Sequence, residues 1–305
     1  MKIILAILFT ASITSTVLAQ NTDQALARVH YKFSHITDTT NRDEPFQENM
    51  ILIIGKNASL YTSYDKMTQT DRLAAFLKEQ TKANGGTLTN VVMQKGLIKK
   101  VTTTDFYSYA NEQKSYTIEY MMTNTYIIPG ELTPIKWTIK QDTMSFAGIS
   151  CRKAITRYKG RNWIAWYAVD LPFQSGPWQL NGLPGLIIAA YDEKKDIQFQ
   201  FDGLEKVNET NLVTKDEKIR IGTGELNFSN NTYLGKEIKL PTNVIKATRA
   251  EVNKLRQAIA ENPMAAMSGG QISAGATVIR KNSTIQTKAK TTFNNPIELP
   301  EIKNN

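Results

Sequence analysis

Val29, Tyr31 and Phe33 alternate with Arg28, His30 and Lys32, a period of two that gives an extended segment one apolar and one polar face. The same alternation recurs at Tyr116, Ile118 and Tyr120, at Ile135, Trp137 and Ile139, and at Ile197, Phe199 and Phe201. Met50 to Ile54 is a short apolar run ended by Gly55. Short strands separated by turn residues predict a mainly antiparallel sheet. Trp163 to Val169 departs from the pattern. Trp163, Ala165, Tyr167 and Val169 share one face, and Ile164, Trp166 and Ala168 share the other. Bulk on both faces requires both to be covered, by helices or by a sheet that curls over a filled or ligand-holding interior.

Two helices are predicted. Thr248-Arg249-Ala250-Glu251 reads as a capping box, followed by Val252, Leu255 and Ile259 at helical spacing and stopped by Pro263. Asp71 to Gln80 places Leu73, Phe76 and Leu77 on one face and ends near Asn84-Gly85-Gly86. Ala265 to Ala276, rich in Ala, Gly and Ser, reads as a linker. The tail beyond it is expected to pack back through Ile297 and Leu299.

The most punctuated stretch is G-P-W-Q-L-N-G-L-P-G-L-I-I-A-A-Y-D, Gly176 to Asp192. Pro172, Pro177 and Pro184 each fix φ near −65° and remove a backbone donor, so neither a helix nor a central strand runs through them. Leu186 to Ala190 is continuously apolar, as in a strand buried on both faces. The block therefore predicts a stiff pair of turns that dives into the core. No G-K-[ST] follows, which argues against a phosphate cradle.

Gly182-Leu183-Pro184-Gly185-Leu186-Ile187 resembles the signature of the GLPGLI family, exported proteins of the Bacteroidota. The resemblance extends through Cys151 to Ala154, Gly160 to Tyr167 and Gly176-Pro177-Trp178, and to the closing Asn294 to Leu299. It implies export and, as a partner, a component of an outer-membrane TonB-dependent transporter. It brings no catalytic residue.

Residues 1–19 read as a secretory signal: Lys2, an apolar core from Ile3 to Phe9, and Val17-Leu18-Ala19 before the cut. The apolar run is too short to span a bilayer, which takes about 20 residues. A periplasmic or extracellular location is expected. Residues 20–264 then form a single β-rich domain, with linker and tail over 265–305. The chain has one cysteine and so no internal disulfide; Cys151 shares an apolar face with Ile149 and Ile155 and reads as a buried thiol. The net charge of +9 is scattered, densest at Lys95, Lys99 and Lys100. No basic tract interleaved with aromatics points to nucleic acid.

The chain carries few residues arranged for chemistry. His30 and His35 point to opposite faces of one strand, so no shared metal site forms. No H-E-x-x-H, C-x-x-C or G-x-S-x-G motif is present. No catalytic residue, metal or cofactor is therefore assigned. Asp170 and Asp192 are the acid pair that a hydrolase would assemble near the signature turns. Arg161, Trp163 and Trp178 admit two readings: an arginine beside aromatic walls for a carboxylate or sugar, or a guanidinium stacked on a tryptophan and bonded to turn carbonyls. Arg161, Trp163, Trp166, Tyr167 and Trp178 are the candidate binding residues. Gly176, Pro177, Gly182, Leu183, Pro184, Gly185, Leu186 and Ile187 form the structural signature. Asp38-Thr39 and Asp142-Thr143 match a short O-glycosylation acceptor pattern, both in expected turns.

The expected fold is mainly β, a curved half-barrel-like antiparallel sheet with one or two packed helices, and α+β is the fallback. The expected function is a non-catalytic exported binding or accessory protein, with an apolar or saccharide ligand as the expected small-molecule partner; a carrier of a lipid or other apolar ligand and a hydrolase with an assembled acidic site are the alternatives.

Overall fold

The computed structural model describes residues 22–85, 96–122, 124–207, 217–221, 224–228, 236–261 and 293–301. The expected signal (1–19) and linker (265–276) lie outside them. After β1 (Asp23–Gln24), which lies outside the large sheet, the first meander contains β2 (Ala27–His35), β3 (Phe46–Ile54), β4 (Ala58–Ser63), α1 (Tyr64–Ala83), β5 (Thr104–Tyr109), β6 (Lys114–Met121) and β7 (Asn124–Glu131). The second contains β8 (Thr138–Phe146), β9 (Ile149–Tyr158), β10 (Arg161–Ala168), β11 (Leu186–Asp192) and β12 (Ile197–Lys206). A hairpin of β13 (Glu217–Ile221) and β14 (Gly224–Phe228) follows, then β15 (Glu237–Ile238), β16 (Ile245–Lys246) and α2 (Arg249–Glu261).

β12 pairs antiparallel with β2 and so joins the two meanders into one sheet of order β16-β7-β6-β5-β4-β3-β2-β12-β11-β10-β9-β8. The sheet is open: β16 and β8 are its two edges. It is also strongly curled. Three strand steps separate β4 from β12, roughly 14 Å in a flat sheet, yet the rings of Tyr61 and Phe199 lie 6.2 Å apart. The mainly β expectation holds.

Period-two alternation assigns the two faces. Val29, Tyr31, Phe33, Met50, Leu52, Tyr61, Trp163, Ala165, Tyr167 and Phe199 fill the concave side. Ile51, Ile53, Leu60, Tyr107 and Ile118 form a second core on the convex side, beneath Met67 of α1. Helix α1 starts seven residues earlier than the apolar spacing predicts. Ser63 caps it by accepting from Lys66 N at 2.8 Å, and Lys66 Nζ reaches the fully buried Asp105 at 2.6 Å. Helix α2 has the predicted capping box, with Thr248 N donating to Glu251 at 2.7 Å and Glu251 N donating to Thr248 Oγ1 at 3.2 Å.

The strand predicted at Ile135 to Ile139 is displaced. The backbone at Ile135 meets the turn at Gly182, and Trp137 Nε1 donates to Asn181 O at 2.7 Å, so both residues pack on the signature loop. Pairing begins at Thr138, and Ile139 is exposed on edge strand β8. Asp142-Thr143, expected in a turn, lies within β8 at a register shift. Asp38-Thr39 is in a turn, with Thr39 exposed.

The signature itself is a plug in the concave core. Leu180 and Leu183 are each 1% exposed, and Leu186 to Ala190 form most of buried β11. Gly182 has φ +88°, which a side chain rarely tolerates. Gly185 needs no unusual φ; a Cβ there would drive into the carbonyl of Ala168. Cys151 is buried, and burial pushes its thiol up to about 11.

Candidate functional site: the concave trough

Curling leaves a trough on the concave side, roofed by α2 and by residues 293–298. Its larger compartment, about 700 Å³, has walls of Phe33, Phe46, Met50, Phe106, Phe199 and Phe293. A smaller one of about 300 Å³ lies toward residues 172–181 of the signature region. Tyr61, Phe106 and Trp178 line both compartments, so three aromatic side chains form the waist between them.

Two features of the waist are unusual. Trp178 has φ +56°, a conformation that costs a bulky residue roughly 1–3 kcal/mol. Packing holds it there: its ring lies 5.5 Å from that of Trp163 and 5.9 Å from that of Tyr158, and the Lys159 ammonium sits 5.5 Å from its centroid. The Tyr61 hydroxyl is buried and has no hydrogen-bond partner among the described residues. Burial raises its pKa well above the ordinary value, so it remains a protonated donor. By contrast, the neighbouring Tyr31 hydroxyl donates to Ile187 O at 2.6 Å.

An unpaired buried hydroxyl is destabilising by roughly 1–3 kcal/mol. Tyr61→Phe is therefore expected to keep or raise the thermal midpoint, read by calorimetry. A loss of the size of a broken hydrogen bond would show that the hydroxyl is satisfied in the folded protein.

The polar groups at the trough are mostly locked. Glu119 on β6 accepts from Arg249 Nη1 at 2.6 Å, Arg256 Nη2 at 3.0 Å and Thr104 Oγ1 at 3.0 Å. Glu298 pairs with Lys159 at 2.7 Å. His35 Nε2 lies 2.7 Å from Asn295 O, which can only accept, so Nε2 carries the proton. Burial is the main cause that lowers the His35 pKa and keeps the ring neutral. Glu48, in register with Phe33 on the concave face, is buried and held by Ser63 and by the backbone and hydroxyl of Thr102; burial outweighs these bonds and raises its pKa.

Of the five candidate binding residues, Trp178 alone lines the trough. Arg161 is buried and clamps the tail: its guanidinium donates to Asp192 at 2.7 Å, Asn295 Oδ1 at 2.7 Å, Pro296 O at 2.6 Å and Ile297 O at 2.8 Å. The tail is thus held by polar bonds at 295–297 in addition to Ile297 and Leu299. Trp163 stacks on Phe199 in the core, and its Nε1 donates to Tyr158 O at 3.1 Å. Tyr167 is fully buried. Trp166 packs on the convex side with Phe146, under the Lys153 ammonium.

The acid pair does not assemble. Asp192 pairs in register with Trp163 at one end of β10, and exposed Asp170 lies beyond Ala168 at the other. His30 and His35 fall on opposite faces as expected. No group of three metal-ligating side chains occurs among the described residues.

Sequence reasoning missed Tyr61, Glu119, Arg249 and Arg256. Arg249, Val252 and Arg256 do share one helical stripe, which was the available signal for the last two.

Comparison with known proteins gives a match to one family model and no activity. A family model described as "Protein of unknown function (Porph_ging)" matches residues 60–189, which span β4 to β11 and so the waist and the signature. No curated protein matches the chain. Two solved structures are similar over 76% of this chain: "Structure of PNGF-II in P21 space group", at 12% identity and a TM-score of 0.47, and "Structure of PNGF-II in C2 space group", at 11% and 0.46. The chain spans about a third of the length of these proteins, 33% and 32%.

Proposed function

We propose that this chain is an exported, non-catalytic binding protein of the GLPGLI type whose concave trough carries a ligand with a largely apolar body. The observation that carries the reading is the Tyr61 hydroxyl, an unpaired donor in the wall of an aromatic trough. Small-molecule sites are typically cavities of about 300–1,000 Å³ lined by apolar and aromatic side chains with a few polar groups for orientation. The larger compartment, at about 700 Å³, fits that description. Strain at Trp178 supports the same reading, because backbone outliers gather at ligand-contacting sites.

Export to the periplasm and association with an outer-membrane transporter are part of the proposal and rest on residues 1–19 and on the GLPGLI resemblance. N-terminal sequencing of the exported protein should begin at Gln20. A hydrolytic reading has less support, since Asp192 is bound to Arg161 and Glu119 is bound to two arginines.

The binding test uses N-phenylnaphthylamine, a neutral apolar fluorophore. The wild-type protein is expected to bind it saturably with enhanced emission. Val101→Trp, which fills space at a partly exposed position in the wall, is expected to weaken that binding at least tenfold while the protein stays folded. Equal binding by the two proteins, or none by wild type, would overturn the reading.

A further inference from the structure

The charge at the rim identifies the class of ligand. Helix α2 lays Arg249, Val252 and Arg256 along one stripe; Val252 is buried, and the two arginines flank it. Both guanidiniums converge on one carboxylate, that of Glu119, which is 4% exposed while they are 45% and 54% exposed. Two cations share one anion, so one positive charge at the mouth is uncompensated. Each guanidinium has five N–H donors. Arg249 gives one to Glu119, and Arg256 gives one to Glu119 and one to Asn253, which leaves further donors on two half-exposed guanidiniums.

Lys100 adds a third cation to the same compartment. Its ammonium lies 5.6 Å from the Phe46 centroid, and it makes no ion pair among the described residues. The anions that line this compartment are both engaged, Glu119 by the arginines and Glu298 by Lys159. His35 adds no charge, because burial holds it neutral. Beneath this cationic mouth the wall turns apolar at Phe33, Phe46, Met50 and Phe199. Guanidinium forks match the two oxygens of a carboxylate or phosphate.

We infer that the ligand of the trough is an anionic amphiphile, a carboxylate or phosphate head on an apolar chain, held with its head at Arg249, Arg256 and Lys100 and its chain toward the Tyr61 waist. This rests on the trough reading above and adds the sign of the head group and its orientation.

The test is displacement of bound N-phenylnaphthylamine by dodecanoate, dodecyl phosphate, dodecanol, dodecyltrimethylammonium and inorganic phosphate. Dodecanoate or dodecyl phosphate is expected to displace it at about one tenth the concentration that dodecanol needs, the effect of a hydrogen bond to a charged group. Whichever of the two wins identifies the head as carboxylate or phosphate. Dodecyltrimethylammonium should be the weakest of the chain compounds, and inorganic phosphate alone should not displace the probe.

The triple variant Glu119→Gln/Arg249→Gln/Arg256→Gln removes the cluster without stranding a buried charge, and should lose the anion advantage while dodecanol binds as before. Lys100→Gln, at an exposed position, should reduce the advantage by a smaller factor in a fully folded protein. If dodecanol matches the anions, if the cation binds best, or if both variants keep the full advantage, the inference is overturned. Probe binding blocked by Val101→Trp would in that case leave the trough reading standing, whereas a protein that binds no probe defeats both.

Discussion

Replacing Arg161 by Ala is expected to lower the unfolding free energy by about 3–5 kcal/mol, the largest loss among the single substitutions considered. The side chain is almost wholly buried, and its partner Asp192 is 4% exposed. Removing the guanidinium leaves Asp192 with the Ile197 amide at 2.9 Å and strands the carbonyls of Pro296 and Ile297 and the Asn295 amide oxygen. The tail roofs the trough through Phe293, Pro296 and Ile297, so probe binding should fall with stability. Equilibrium denaturation measures the first effect. Arg161→Met/Asp192→Leu, which removes both charges, should recover part of the loss, because a buried charge without a counterion is worse than none. A loss under about 1 kcal/mol for Arg161→Ala would mean that the clamp is not formed.

Gly185→Val should cost about 1–3 kcal/mol or more through overpacking. The obstacle is backbone: a Cβ at Gly185 meets the Ala168 carbonyl and carbon and the Val169 Cα, none of which is the yielding end of a side chain. Either β11 shifts or the end of β10 moves away, and both carry core residues, Leu186 and Tyr167 among them. A denaturation midpoint equal to wild type, with probe binding lost, would assign Gly185 to the ligand instead of the fold.

Strands were legible where one side of the sheet alternates cleanly, as at Val29 to Phe33 and Ile197 to Phe201. Tyr116, Ile118 and Tyr120 were also read correctly, although on the convex side. Polar edge strand β8 was not legible beyond Ile139, because an exposed edge has no apolar face to betray its period. The first turn of α1 was hidden for a different reason: Ser63 and Lys66 start the helix through buried carboxylates on β3 and β5, distant in sequence. At Arg161 the sequence offered ligand recognition or turn carbonyls, and the side chain is bonded to carbonyls of a tail more than 130 positions away. Trp178 was legible as important, but its left-handed backbone was not. Tyr61 carried no signal, since an unpaired hydroxyl is a property of the packed wall alone.

The most direct test is native mass spectrometry of the protein isolated from its own cells without detergent. The wild-type protein is expected to carry a non-covalent adduct that is released on denaturation and is a small anionic amphiphile, and Val101→Trp from the same cells should lack it. Wild-type protein at the bare mass of its chain, indistinguishable in occupancy from Val101→Trp, would contradict the account.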